Sequence, residues 1–355
     1  MEKAAEAHLA YVDGLRAVAV LAVVACHSGA ASFGAAAGWR VCGARGVDLF
    51  FVISGFCLAY PTLARVRTGA AATVRFLPFL RRRVVRLAPS YYVAIVLFAL
   101  LGMTSFGFPT APAGHALGEA AQWREVLSDL SFTPSTQSIY DATFWTLGLE
   151  MQWYVVFPLL IALYVRSRAL FGFIGVGCYL AYMGTHLVPP IVGTLPCFML
   201  GMLAADVQRA RVRIPTLPAL LVVALLLAAA TAAQLAHPSD VDHGDPLWHA
   251  AVFALALAAG SGMLRRVLSA RPFVAVGTRS YSIYLVHAPV LAFLGHAGCP
   301  WPLAALLAVV LGMGYWLIVE RPLVTNRMRA LLEGLPQRLD TYVSTALVRR
   351  RSSVV

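Results

Sequence analysis

Four ionisable side chains, His27, Asp48, Glu150 and His287, stand inside long stretches of this sequence that are otherwise apolar. Imidazole and carboxylate groups are the usual agents of proton transfer, and each costs free energy to place in hydrocarbon. His27 follows Arg16 by eleven residues, and no Asp, Glu, Lys or Arg falls between Val18 and Ala37. On a helix that spacing carries the imidazole ~16 Å beyond Arg16, near the middle of a bilayer's hydrocarbon core. Glu150 enters its own stretch from the opposite side, ~9 Å below the outer surface, where its carboxylate can approach His27 and support a positive imidazole. Such a histidine serves either as a general base toward a hydroxyl or as a nucleophile. The residues alone leave both roles open. His287 falls in the outer half of its stretch, where a hydrogen bond to a neighbouring helix explains it as well as a direct role does. Asp48 lies at the start of its stretch, where a carboxylate caps a helix N-terminus.

Binding chemistry is carried by arginine. Arg83 and Arg86 are three residues apart and share one helix face. Guanidinium groups hold phosphates through bidentate, charge-assisted hydrogen bonds. Arg16 stands at the mouth of the same side, with Asp13 and Glu320 at inner interfaces. Ordinary basicity of an inner loop accounts for the other arginines nearby, Arg65, Arg67, Arg75, Arg81 and Arg82. The segment 237–245 gathers two histidines and three aspartates, and reads as a solvated acidic turn rather than a metal site. No zinc spacing and no phosphate-cradling glycine loop is visible, so no metal or bound cofactor is expected.

These side chains must be positioned by membrane helices. The chain has 355 residues, 60% of them hydrophobic and only 12% charged, which is not a soluble composition. Apolar runs near 17–36, 46–64, 88–106, 144–165, 169–184, 190–205, 217–236, 246–263, 272–295 and 301–319 predict about ten transmembrane helices. The fold class is an all-α polytopic integral membrane protein with both termini cytoplasmic. The net charge of +12 would suggest nucleic acid in a soluble protein. Its distribution excludes that: with the N-terminus inside, only Arg40, Arg45 and Arg124 of the 28 basic residues fall in outer loops. The inner loop 65–87, with its apolar patch Phe76–Leu80, predicts an amphipathic segment on the membrane surface leading into the third span. In the outer segment 107–143 a short helix is predicted over Leu117–Leu130. Glu2, Glu6 and Asp13 give the leader an acidity that a signal peptide lacks, so no cleavage is expected. Cys42 and Cys299 are the two cysteines in loops, both outside, and two separate thiols are favoured over a bond between them.

Six blocks in order resemble the bacterial membrane acyltransferase-3 family. They are Asp13-Gly14-Leu15-Arg16 with His27, Gly46–Phe56, Arg82–Tyr92, Phe144–Tyr154, Ser280–Pro289 and Val319-Glu320-Arg321-Pro322. The resemblance covers residues from about 11 to 330. It implies an O-acyltransferase domain over 1–335 followed by a basic cytoplasmic tail, 336–355, with no added soluble domain. It implies a multi-pass protein of the bacterial inner membrane that moves an acyl group, most simply acetyl, from acyl-CoA as co-substrate. The acceptor it implies is a sugar hydroxyl of a surface polysaccharide, lipid-linked glycan or peptidoglycan. A secondary metabolite such as a macrolide sugar is the alternative acceptor, and a glycan transporter or flippase the alternative class. Catalysis then falls to His27 and Glu150, and acyl-CoA binding to Arg16, Arg83 and Arg86, with Asp13, Asp48 and His287 in support. One departure stands out: Met151 occupies the place where the family commonly has a second glutamate.

Overall fold

A computed structural model describes residues 9–28, 43, 45–69, 74–102, 127–133, 143–185, 189–212, 214–236 and 245–324 of the chain. Among these residues there is no strand. The helices are α1 (Ala10–His27), α2 (Gly46–Arg67), α3 (Phe76–Gly102), α4 (Trp145–Arg166), α5 (Arg168–Thr185), α6 (Pro190–Arg209) and α7 (Thr216–Ala236). They continue with α8 (Pro246–Ala259), α9 (Gly262–Leu268), α10 (Arg271–Gly277), α11 (Ser280–His296) and α12 (Trp301–Tyr315). A π-helical turn (Trp316–Glu320) then leads into α13 (Arg321–Val324). Proline opens α6, α8, α10 and α12 within their first two positions, where its missing N–H removes nothing from the helix. Asp245 caps α8 by accepting from the Leu247 N–H at 2.8 Å.

The core forms around α2, whose most extensive partner is α6. Two glycines permit that contact. A Cβ on Gly55 would strike the carbonyl oxygen of Phe198, and one on Gly201 would strike that of Val52. Small residues at facing positions let two membrane helices approach backbone to backbone, which is how they gain packing without a hydrophobic drive. Trp153 of α4 is fully buried beside them, edge-on to Phe51 at 4.5 Å and tilted against Phe198 at 5.1 Å. The start of α1 is clasped by the ends of α9 and α10: Gly14 lies against the Leu268 backbone, and Gly277 against that of Asp13.

Six of these helices are long and apolar enough to cross a membrane, or seven if α8 and α9 count as one bent span. Each of the ten apolar runs has a helical counterpart, and three of them differ from expectation. The first helix begins at Ala10 and ends at His27, so His27 is its last residue instead of standing midway along a longer helix. Its early start agrees with a pairing of charges. Arg16 donates to Asp13 Oδ1 at 2.6 Å one turn away, so both charges fit within the helix instead of marking its boundary. The eighth run is broken: the chain bends by 89° between α8 and α9, with Gly262 at φ +58, a backbone region that suits glycine. The ninth run divides into α10 and α11. The loop segment from Phe76 is no separate element but the first turns of α3, with Leu77 exposed and Phe79 buried.

Around this core α5, α7 and α12 present Leu180, Phe173, Leu217, Leu225 and Leu306 outward. An apolar outer surface of that extent belongs to a multi-pass membrane protein. The tail 336–355, the segment 237–244, Cys42 and most of the predicted helix Leu117–Leu130 lie outside the described residues.

Candidate active site

A cavity of about 570 Å³ opens between α1, α2, α3, α4 and α11. Its walls carry both charge and hydroxyls. Arg16 and Asp13 come from α1, Ser54 and Cys57 from α2, Arg83 and Arg86 from α3, Glu150 and Tyr154 from α4, and Tyr281 and Tyr284 from α11. Glu320 joins them from the π-helical turn. That turn adds a residue to the helical repeat, which aims Glu320 at Ser282, whose hydroxyl donates to it. Three guanidinium groups thus face three carboxylates on one wall system.

The basic end is built on packing. Arg83 lies over the Phe79 ring at 5.5 Å and the Tyr154 ring at 5.8 Å, so two aromatic faces hold its guanidinium at the cavity wall. Its Nε is buried without a hydrogen-bond partner among the described residues. A buried donor left open in a cavity wall is what an anionic ligand would satisfy. Arg16, besides pairing with Asp13, donates from Nη2 to the Cys57 thiol at 3.1 Å. Glu150 Oε1 accepts from Ser54 Oγ at 3.0 Å and from the Tyr154 hydroxyl one turn along its own helix.

At the other end, Tyr284 closes the wall. Its hydroxyl shares a hydrogen bond with Thr146 Oγ1 at 2.8 Å and donates to the Thr143 carbonyl at 3.1 Å, and its ring meets Phe50 edge-on. One turn further along α11, His287 is fully buried, its Nδ1 2.6 Å from the Tyr284 carbonyl. Its Nε2 lies 2.9 Å from Nδ1 of His27, at the exposed end of α1. Residues 260 positions apart in the chain therefore meet just beyond the cavity's Tyr284 end.

The family model described as "Acyltransferase domain" matches residues 9–321. The chain belongs to the acyltransferase-3 family. It is similar to the peptidoglycan O-acetyltransferase OatA of Listeria monocytogenes, with 27% identity over 79% of this chain and 49% of that protein. It is also similar to the O-acetyltransferase OatA of Staphylococcus aureus strain MRSA252, with 23% identity over 96% of this chain and 61% of that protein. The chain thus spans about half to three-fifths of the length of these relatives. No solved structure matches it significantly.

Of the side chains singled out from sequence, Asp13, Arg16, Arg83, Arg86 and Glu150 line the cavity together. His27 and His287 form the pair at its end. Among the described contacts the His27 ring meets this histidine, and Glu150 is engaged by two hydroxyls. Asp48 is not a lining residue; fully buried in the first turn of α2, it pairs with Arg45 at 3.2 Å, and Arg45 in turn donates to Gln234 Oε1 at 2.9 Å. Ser54, Cys57, Tyr154, Tyr281 and Tyr284 were not picked out individually. Tyr154 alone carried a readable signal, four residues from Glu150 on the same helix face. Among the described residues no three His, Cys, Asp or Glu side chains gather as a metal site requires.

Proposed function

We propose that this protein is an integral membrane O-acyltransferase that moves an acyl group, most simply acetyl, from acyl-CoA to a hydroxyl of a cell-surface glycan. The observation that carries this reading is that Arg16, Arg83 and Arg86 line one cavity with Tyr284, whose carbonyl contacts His287, the histidine that meets His27. Coenzyme A carries phosphates at one end and the thioester at the tip of a long arm. Arg16 and His27 are separated by eleven residues of α1, ~16 Å along the helix, which keeps phosphate binding and acyl transfer apart.

In this reading the arginines hold the phosphates from the cytoplasmic side and His27 acts as general base at the acceptor hydroxyl. The hydroxyl proton passes to His27, the oxygen bonds to the acyl carbon, and the carbon–sulfur bond breaks. The leaving thiolate then takes the proton, giving an ester and free coenzyme A. Glu150 keeps the cavity's polar wall in order through Ser54 and Tyr154. Ten spans, cytoplasmic termini and the bacterial inner membrane complete the proposal, supported by the placement of the basic residues. The glycan acceptor is supported by the Listeria relative, a peptidoglycan O-acetyltransferase.

The test is transfer itself. Membranes holding the full chain are incubated with acetyl-CoA labelled in the acetyl group and with peptidoglycan or lipid-linked glycan. Label should enter the glycan with the wild-type chain and not with His27→Ala. Equal incorporation by both would overturn the assignment of His27, and none by the wild type with any glycan would overturn the acceptor class.

A further inference from the structure

The hydrogen bonds around His287 bear on which nitrogen of His27 is the basic one. His287 Nδ1 is 2.6 Å from the Tyr284 carbonyl oxygen, which can only accept, so Nδ1 carries a hydrogen. Its Nε2 is then the acceptor of a neutral ring, unless the whole ring is an imidazolium. His287 is completely buried, and among the described residues no carboxylate hydrogen-bonds to it. A buried imidazolium with only backbone carbonyls for company would be an uncompensated charge, so the neutral ring is the one that fits. Nε2 of His287 therefore accepts from Nδ1 of His27, 2.9 Å away. In a neutral His27 that places the hydrogen on Nδ1 and the lone pair on Nε2.

We propose that His287 is a positioning residue for acyl transfer, holding His27 in the tautomer whose Nε2 takes the acceptor's proton. The proposal rests on the general-base reading above. It deepens that reading by naming the reactive atom and the group that selects it. Tyr284 belongs to the same device, because its carbonyl orients His287 while its side chain forms the cavity wall. When His27 takes up the hydroxyl proton on Nε2, its Nδ1–H bond to His287 persists and strengthens, since the donor is then charged. The arrangement resembles other general bases oriented by a third group, with a neutral ring in place of the usual carboxylate.

Two variants and one spectrum test it. His287→Leu removes the acceptor and keeps the volume; His287→Gln keeps an acceptor oxygen. The Leu variant should lose turnover by roughly a hundredfold with the KM for acetyl-CoA nearly unchanged, since positioned general bases contribute about 10²–10⁴. The Gln variant should recover roughly a tenth or more of wild-type turnover. Wild-type turnover in the Leu variant, beside an inactive His27→Ala, would overturn the positioning role alone. So would equal loss in the Leu and Gln variants. Activity in His27→Ala would overturn the general-base reading beneath it. Because a buried substitution can unfold the protein, nitrogen-15 NMR of the wild-type chain decides independently. The signals that vanish in His27→Ala should show a protonated Nδ1 and an unprotonated Nε2, and the opposite tautomer would overturn the proposal.

Discussion

Arg16 donates through Nη2 to the sulfur of Cys57 at 3.1 Å, tying α1 to α2 and placing a thiol at the basic end of the cavity. Cys197, on the neighbouring α6, is fully buried and donates its S–H to the Asp48 carbonyl. Two cysteines of one core thus differ in access. A small maleimide should modify Cys57 and leave Cys197 unmodified, and coenzyme A should slow the reaction at Cys57 several-fold. Peptide mass spectrometry after timed labelling checks both. Unchanged labelling of Cys57 at saturating coenzyme A would place the donor elsewhere.

Arg83 and Arg86 share the wall beside Arg16, and Arg83 offers a buried Nε without a partner among the described residues. Charge-assisted hydrogen bonds to phosphate contribute about 1.5–3 kcal/mol each. Replacing both arginines with alanine should therefore raise the KM for acetyl-CoA at least tenfold, by about 1.4 kcal/mol per decade, with a smaller effect on kcat. Desulfo-coenzyme A binding, measured by calorimetry, should weaken in parallel. A drop in kcat at constant KM would assign these residues to the chemical step instead.

Glu150 is set by its two hydroxyl donors, and this changes what its substitution should do. Glu150→Gln retains an oxygen that can accept from Ser54 and Tyr154, so the wall keeps its shape. Glu150→Leu leaves both hydroxyls without their acceptor, at a cost of about 1–3 kcal/mol each if they remain buried. Turnover should therefore fall far more in the Leu variant than in the Gln variant. Equal losses would mean that the carboxylate charge itself acts in catalysis, as its position in the sequence first suggested.

Much of this site was legible in the sequence because membranes tolerate few charges. Screening apolar runs for ionisable groups leads directly to His27, Glu150 and His287. The existence of the helices followed from the same runs. What the sequence hid was pairing. Asp13 and Arg16 neutralise each other, so α1 starts a full turn and more before the expected boundary. Arg45 was counted as an outer-loop charge, yet it is buried against Asp48 and Gln234. The contact of His287 with His27 depends on how α1 and α11 cross, which no local pattern encodes. Glu320 reaches the cavity through a π-helical turn that periodicity cannot foresee.

Topology follows from the basic residues and can be checked in described turns. Gly69 lies between α2 and α3, among arginines, and Gly298 lies between α11 and α12, away from them. Reporter fusions at these two sites should give opposite signals, with Gly69 cytoplasmic. Matching signals would rule out the orientation with an odd number of spans between them.

The contact of α2 with α6 makes the last prediction, and it concerns stability. Gly55 and Gly201 each lie against the other helix's backbone, so a methyl group at either position meets a carbonyl oxygen that cannot move without shifting the helix. Gly55→Ala and Gly201→Ala should each destabilise the protein by about 1–3 kcal/mol, the usual range for overpacking a close contact. Gly177 on α5 supplies the control. It is exposed and has open space where a Cβ would stand, so Gly177→Ala should cost nothing and can gain up to about 1 kcal/mol of helix propensity. Thermal unfolding in detergent, followed by tryptophan fluorescence from the buried Trp153, separates the cases. Both core variants should melt earlier than the wild type and Gly177→Ala should not. If Gly55→Ala melts with the wild type, the two helices do not approach as closely as their glycines permit.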